Sequence, residues 1–204
     1  MLWGDIRTVT VSLLLVCHAS TPALRRASIP DDEPLDAIGQ AAAAAAAVKE
    51  RWQGGGCASA PERRARETAA ALGLAPEIDE RLRDCDYGRW RGASLRALQA
   101  DEPAAVQAWL TDPAAAPHGG ESVLALLARV GGWLDRLPLA PEPARARRML
   151  AITHPAIIRA AIVHALGAGP AAFWRIDVVP LAHVRLSGRV GRWNLVAMER
   201  PERS

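Results

Sequence analysis

The chain has 204 residues, half of them apolar and 23% charged, and a formal net charge of +3. That length and balance fit one globular domain with a core of ordinary size, expected over residues 11–198 of 1–204, and argue against a disordered or fibrous chain. So small a positive excess gives no case for nucleic-acid binding, and three scattered cysteines with no CxxC pair argue against a disulfide framework or a structural zinc site and for a reducing cytoplasm.

In chain order, residues 1–10 read as a lead-in and 11–17 as a buried strand. The run 9–16 is apolar enough to mimic a secretory segment. Its only upstream cation, Arg7, is balanced by Asp5, and it is too short to span a bilayer, so neither export nor a membrane is expected. The strand stops at His18. Open α/β sheets place ligands outside the carboxyl ends of their strands, so a histidine there marks a candidate site. A polar loop, 20–35, contains Arg25 and Arg26. A helix follows at 38–52 around the alanine run 41–47, then a strand at 57–59. Pro61 opens a helix, 62–72, which Gly73 closes. A short strand is expected at 77–82, a loop at 84–92, and short helices at 94–99 and 104–110. His118-Gly119-Gly120 is a turn before a long helix, 121–137. A Pro-rich connection, 139–146, leads to a second apolar strand, 149–153, which also ends in a histidine, His154. A helix at 155–166 and strands at 182–186 and 193–198 complete the chain. Alternating strands and helices predict an α/β fold: a three-layer sandwich whose central sheet is mainly parallel and flanked by helices, with an antiparallel closing pair.

Four pieces converge chemically: His18, the arginine-rich helix start at 61–69, Asp84 and His154. Phosphoryl transfer through a histidine needs this set. A neutral imidazole attacks phosphorus, cationic groups and helix-start N–H groups hold the phosphate, and a carboxylic acid protonates the departing oxygen. Asp86 and Glu80 lie near enough in sequence to compete with Asp84 for that last role. Glu121 either helps the pocket or faces a helix macrodipole.

The order of motifs resembles the histidine phosphatase superfamily, in its phosphoglycerate mutase-like branch. Cys17-His18-Ala19-Ser20-Thr21 stands where that family has Arg-His-Gly-Glu-Thr. Ala60-Pro61-Glu62-Arg63-Arg64-Ala65-Arg66-Glu67-Thr68-Ala69 matches Ser-Pro-Leu-x-Arg-Ala-x-x-Thr-Ala. Leu82-Arg83-Asp84-Cys85-Asp86-Tyr87-Gly88-Arg89-Trp90-Arg91-Gly92 matches Leu-x-Glu-x-x-Phe/Tyr-Gly-x-Trp-x-Gly. Gly119-Gly120-Glu121-Ser122 matches a Gly-Gly-Glu-Ser element, and Thr153-His154-Pro155-Ala156-Ile157-Ile158-Arg159 matches Ser-His-Gly-Gly-x-Ile-Arg. The resemblance implies a phosphatase acting on a small phosphorylated substrate through phosphohistidine at His18. Arg64 and His154 would hold the phosphate, Asp84 would be the general acid, and Thr21 would lie near the pocket. It implies no metal and no other cofactor. Specificity would lie in residues 91–120.

The departures bear on activity. Cys17 replaces the arginine beside the nucleophile, and losing one such preorganised donor costs about 10²–10³ in rate. Asp84 is one methylene shorter than glutamate. Ala19 and Pro155-Ala156 replace glycines. Arg25 is the expected compensating phosphate ligand, from its proximity in sequence, with Arg26 the alternative. Cys17 as nucleophile would need an arginine at position 23, which is Ala23. A weakened basic pocket favours a phosphatase over a mutase. The alternative is an impaired relative that binds a phosphorylated ligand or a protein partner.

Overall fold

The apolar run Val11–Cys17 forms strand β1, with Val11, Leu13, Leu15, Val16 and Cys17 all buried. The structure is a computed structural model that describes residues 10–46, 55–137 and 147–200. The further strands are β2 (Gly56–Ser59), β3 (Glu77–Ile78), β4 (Arg147–Thr153), β5 (His183–Arg189) and β6 (Arg192–Glu199). They form one sheet in the order β3-β2-β4-β1-β5-β6. Strand β2 is parallel to β3 and β4, and β4 is parallel to β1. Strand β5 is antiparallel to both β1 and β6. The sheet is therefore mainly parallel, with an antiparallel hairpin at one edge. Successive residues Leu150, Ala151 and Ile152 of β4 are all buried, so both faces of the sheet are covered, as parallel strands require.

The helices are α1 (Pro22–Arg25), α2 (Ala37–Ala45), α3 (Arg63–Ala71), α4 (Leu95–Asp101), α5 (Pro103–Thr111), α6 (Val123–Arg136) and α7 (Pro155–Leu166). Asp36, Ser94 and Ser122 cap α2, α4 and α6 by accepting from the N–H of Gly39, Ala97 and Ala125. Helix α7 is apolar around most of its circumference because it packs against α6, β6 and β1. One large core joins the sheet to α3, α6 and α7. A satellite cluster of Ile29, Trp90, Leu98 and Trp109 sits under α4 and α5.

Local differences from the sequence expectation have local causes. The loop at 20–35 contains α1, because the Thr21 hydroxyl accepts from the Leu24 N–H and Pro22 occupies the first turn. The strand expected at 77–82 lasts two residues. The Asp79 side chain then accepts from the Arg81 N–H and turns the chain into a 3₁₀ turn, Glu80–Leu82. Helix α2 ends at Ala45. The remainder of the helix expected at 38–52, from residue 47 on, and the connection at 139–146 lie outside the described residues. Among the described residues no helix is long and apolar enough to cross a membrane.

Candidate active site

Three neighbouring parallel strands, β2, β4 and β1, end side by side, and each delivers part of the site. Cys17 is in register with Thr153, so the residues that follow, His18 and His154, emerge together. The His18 N–H donates to the Thr153 carbonyl at 2.9 Å, and the two imidazole centroids are 5.3 Å apart. Strand β2 ends at Ser59, opposite Ile152, and Pro61 turns the chain into α3, whose second residue is Arg64. Asp84 arrives on the loop after the 3₁₀ turn Glu80–Leu82. His18, Arg64, Asp84 and His154 are all buried.

The hydrogen bonds set protonation. His18 Nδ1 lies 2.8 Å from the Ala19 carbonyl, which can only accept, so Nδ1 carries the proton and Nε2 the lone pair. Burial, reinforced by the charges of His154 and Arg64, lowers the His18 pKa to about 3, so the ring is a neutral nucleophile at ordinary pH. Arg64 Nη2 donates to Asp84 Oδ2 at 2.6 Å. Burial pushes the Asp84 carboxyl up, but His154 and Arg64 outweigh it and hold the group below the usual carboxylate range. His154 Nε2 donates to Glu62 Oε2 at 2.7 Å, and its Nδ1 sits 3.6 Å from Asp84 Oδ2. Arg64 Nε and His154 Nδ1 are buried with no hydrogen-bond partner. Buried polar atoms are seldom left so, and phosphoryl oxygens are acceptors suited to the arginine.

Glu62 and Thr68 belong to this cluster, although no role was expected of either. Glu62 Oε1 also accepts the Asp84 backbone N–H at 2.9 Å, so one carboxylate holds both His154 and the acid loop. Burial opposes its charge, but the His154 hydrogen bond prevails and the Glu62 pKa falls to about 2. The Thr68 hydroxyl accepts the Ala19 N–H at 3.0 Å and donates to the Arg64 carbonyl at 2.7 Å, tying the residue after the nucleophile to α3. The available signals were weak. Glu62 stands where the family motif has leucine, and Thr68 is a motif position without an evident task.

Of the other two expected phosphate ligands, the structure carries Arg25 outward and gives Thr21 a capping role. Thr21 is buried, and its hydroxyl accepts from the Leu24 N–H as the cap of α1, which leaves its own O–H to donate. Arg25 is carried outward by α1. Its side chain is 56% exposed and lies 4.0 Å from Asp36, so sequence proximity to His18 does not place its guanidinium beside the imidazole. Cys17 is wholly buried, and burial pushes its thiol pKa well up, leaving it an uncharged core residue. Asp86 pairs with Arg91 and Glu80 is exposed, so of these three acids Asp84 is the one in the cluster, beside His154 and Arg64. Glu121 faces Arg129 rather than the cluster. No group of three or more His, Cys, Asp and Glu side chains among the described residues is arranged to hold a metal ion.

The fold agrees with that of known proteins. The chain belongs to the histidine phosphatase superfamily, branch 1, whose family model matches residues 13–201. Among known proteins it is similar to a bifunctional protein of Mycobacterium tuberculosis, with 31% identity over 184 residues, 86% of this chain and 50% of that protein. It is also similar to the glucosyl-3-phosphoglycerate phosphatase of that organism, with 38% identity over 117 residues, 55% of this chain and 52% of the relative. The chain spans about half the length of these curated relatives. The solved native structure of mycobacterial glucosyl-3-phosphoglycerate phosphatase superposes with a TM-score of 0.79 at 28% identity, covering 92% of this chain and 98% of that one.

Proposed function

We propose that the protein is a phosphatase that hydrolyses small phosphate monoesters through a phosphohistidine on His18. The observation that carries this reading is the neutral His18 ring, its Nδ1 proton bound to the Ala19 carbonyl, in a cluster that contains the unpartnered Arg64 Nε and His154 Nδ1. In the first step the Nε2 lone pair of His18 attacks phosphorus, the N–P bond forms and the ester P–O bond breaks. The departing oxygen takes a proton from Asp84, and the alcohol leaves. In the second step Asp84 takes a proton from water as the water oxygen attacks phosphorus, the N–P bond breaks, and phosphate and neutral His18 are restored.

Asp84 is ionised while paired with Arg64 and must gain a proton for the first step. A phosphate dianion drawing Arg64 toward itself removes the cation from the carboxylate and adds negative charge beside it; both changes raise its proton affinity. Glu62 is a positioning residue, fixing the His154 ring and the Asp84 loop. Three scattered cysteines with no CxxC pair support a reducing cytoplasm as the protein's location. One observation favours the second reading, an impaired relative that binds a phosphorylated ligand without turnover: a neutral, buried Cys17 leaves the site without the arginine that the family motif carries there.

The test is steady-state hydrolysis of a monoester panel that includes glucosyl-3-phosphoglycerate, the compound named in the relatives' activity. Turnover that His18→Ala lowers by at least 10³-fold is expected. Retained ligand binding with no turnover, in wild type and variant alike, would establish the second reading instead.

A further inference from the structure

A cavity of about 340 Å³ lies where the main core meets the satellite cluster under α4 and α5. We propose that it receives the alcohol half of the substrate and selects a broad, apolar, ring-bearing alcohol over a polyhydroxylated one. The inference rests on the phosphatase reading above and adds the class of leaving group.

Two of its lining residues are close chain neighbours of the catalytic cluster. Cys85 lines the cavity, and its backbone N–H donates to Asp84 Oδ1 at 2.8 Å, so the cavity begins one residue from the carboxylate assigned to the departing oxygen. Ala156 lines it two residues after His154. The remaining walls combine four aromatic residues, Tyr87, Trp109, Phe173 and Trp174, with aliphatic side chains such as Ile29, Leu95 and Val106. Their packing fixes them. Trp109 and Trp174 meet edge-on with centroids 4.6 Å apart at 75°, and Phe173 meets Trp174 at 4.9 Å and 90°. Tyr87 and Trp109 pack at 6.2 Å and 78°. Such a preformed wall offers faces and edges to another ring without reorganisation.

The polar side chains of this lining are Gln99, the Tyr87 hydroxyl and Arg159, against nine apolar residues and Cys85. Arg159 enters it, but its Nε already donates to the Ile176 carbonyl at 2.7 Å, and its guanidinium lies 5.8 Å from the Phe173 ring centroid. A sugar moved into this space has Gln99, Tyr87 and Arg159 as side-chain partners and meets aliphatic or aromatic carbon elsewhere, and each unmatched buried hydroxyl weakens binding. A ring-bearing alcohol loses no hydrogen bonds and buries apolar area. The volume sits near the lower end of the range for small-molecule pockets, enough for one fused ring system.

The experiment compares kcat/KM for 2-(2-naphthyl)ethyl phosphate with glucose 6-phosphate and glucosyl-3-phosphoglycerate, using the full chain. All three are esters of unactivated alcohols, so the comparison reads recognition rather than leaving-group chemistry. A preference of at least 30-fold for the naphthyl ester is expected. Leu95, exposed and on the cavity wall, is replaced in Leu95→Trp to fill the space, and the preference should fall at least tenfold. Trp109→Ala should also lower it, and Leu95→Trp decides the matter if that variant does not fold. Equal or faster turnover of the sugar esters, or a ratio that Leu95→Trp does not move, overturns the inference and leaves the phosphatase reading standing. If no ester is hydrolysed and no phosphohistidine forms, the phosphatase reading fails and this inference with it.

Discussion

Asp84 is the residue on which the chemistry turns. It forms a buried ion pair with Arg64, both side chains being less than a tenth exposed. Breaking such a pair on one side costs about 3–5 kcal/mol. Asp84→Asn should therefore lower stability to urea by an amount of that order. Its kinetic effect should depend on the ester. Loss of a general acid costs about 10²–10⁴ for an alkyl ester, whose oxygen needs a proton, and far less for p-nitrophenyl phosphate, whose oxygen leaves as an anion. A uniform loss across both esters would assign Asp84 to binding alone. Glu62 makes a separate prediction. Glu62→Leu, the residue of the family motif, leaves His154 Nε2 and the Asp84 N–H without their acceptor. It should lower kcat by about tenfold or more, and Glu62→Gln, which keeps an acceptor oxygen, should restore much of it. His18, Arg64, Asp84 and His154 were legible in the sequence because motif order carries them. Glu62 was not, since an acid at the start of a helix has the ordinary explanation of facing the macrodipole.

At the scale of elements, the site is a product of strand register. Parallel pairing of β1 with β4 brings together two histidines 136 positions apart in the chain. The apolar runs and their terminal histidines announced those strands, but not their adjacency, because periodicity carries no pairing information. Arg25 shows the opposite failure. It lies seven residues from His18, yet the cap and proline that start α1 direct its side chain toward Asp36. The acid loop is held by a contact that no short motif reveals. Arg129 on α6 donates to both Glu121 carboxylate oxygens and to the carbonyls of Arg81, Arg83 and Asp84. Gly120 lets the 118–121 turn approach the same loop, since a Cβ there would collide with the Asp86 carbonyl. Arg129→Met removes the clamp and leaves the apolar stem. A loss of about 2–3 kcal/mol is expected, read as a fall in Tm on the order of 5–10 °C, and kcat should fall with it. Unchanged kcat in a destabilised protein would show that the clamp does not position Asp84.

For the whole molecule, the buried site makes stability depend on pH. His18 titrates at about 3 in the folded chain and near its ordinary 6.5 when unfolded. Between those values the unfolded chain binds the extra proton, so stability falls as pH drops below about 6.5. The slope is about 1.4 kcal/mol per pH unit for one proton. Glu62, at about 2 against an ordinary 4.5, adds a loss of the same sign below about 4.5, as does Asp84 with its lowered carboxyl. Urea unfolding from pH 7 to pH 4.5 should show the His18 slope in the wild type and a flatter line in His18→Asn. Equal slopes would mean that the ring is not held neutral in the folded state. The same burial that costs stability in acid keeps the imidazole ready to attack phosphorus at neutral pH. Rapid quench into base during turnover of a monoester, followed by mapping of the labelled phosphopeptide, measures this most directly. An alkali-stable, acid-labile phosphoryl group on His18 is predicted, present within the first turnover and absent in His18→Ala. Hydrolysis with no phosphoryl group on His18, or with one on Cys17 or His154 instead, would contradict it.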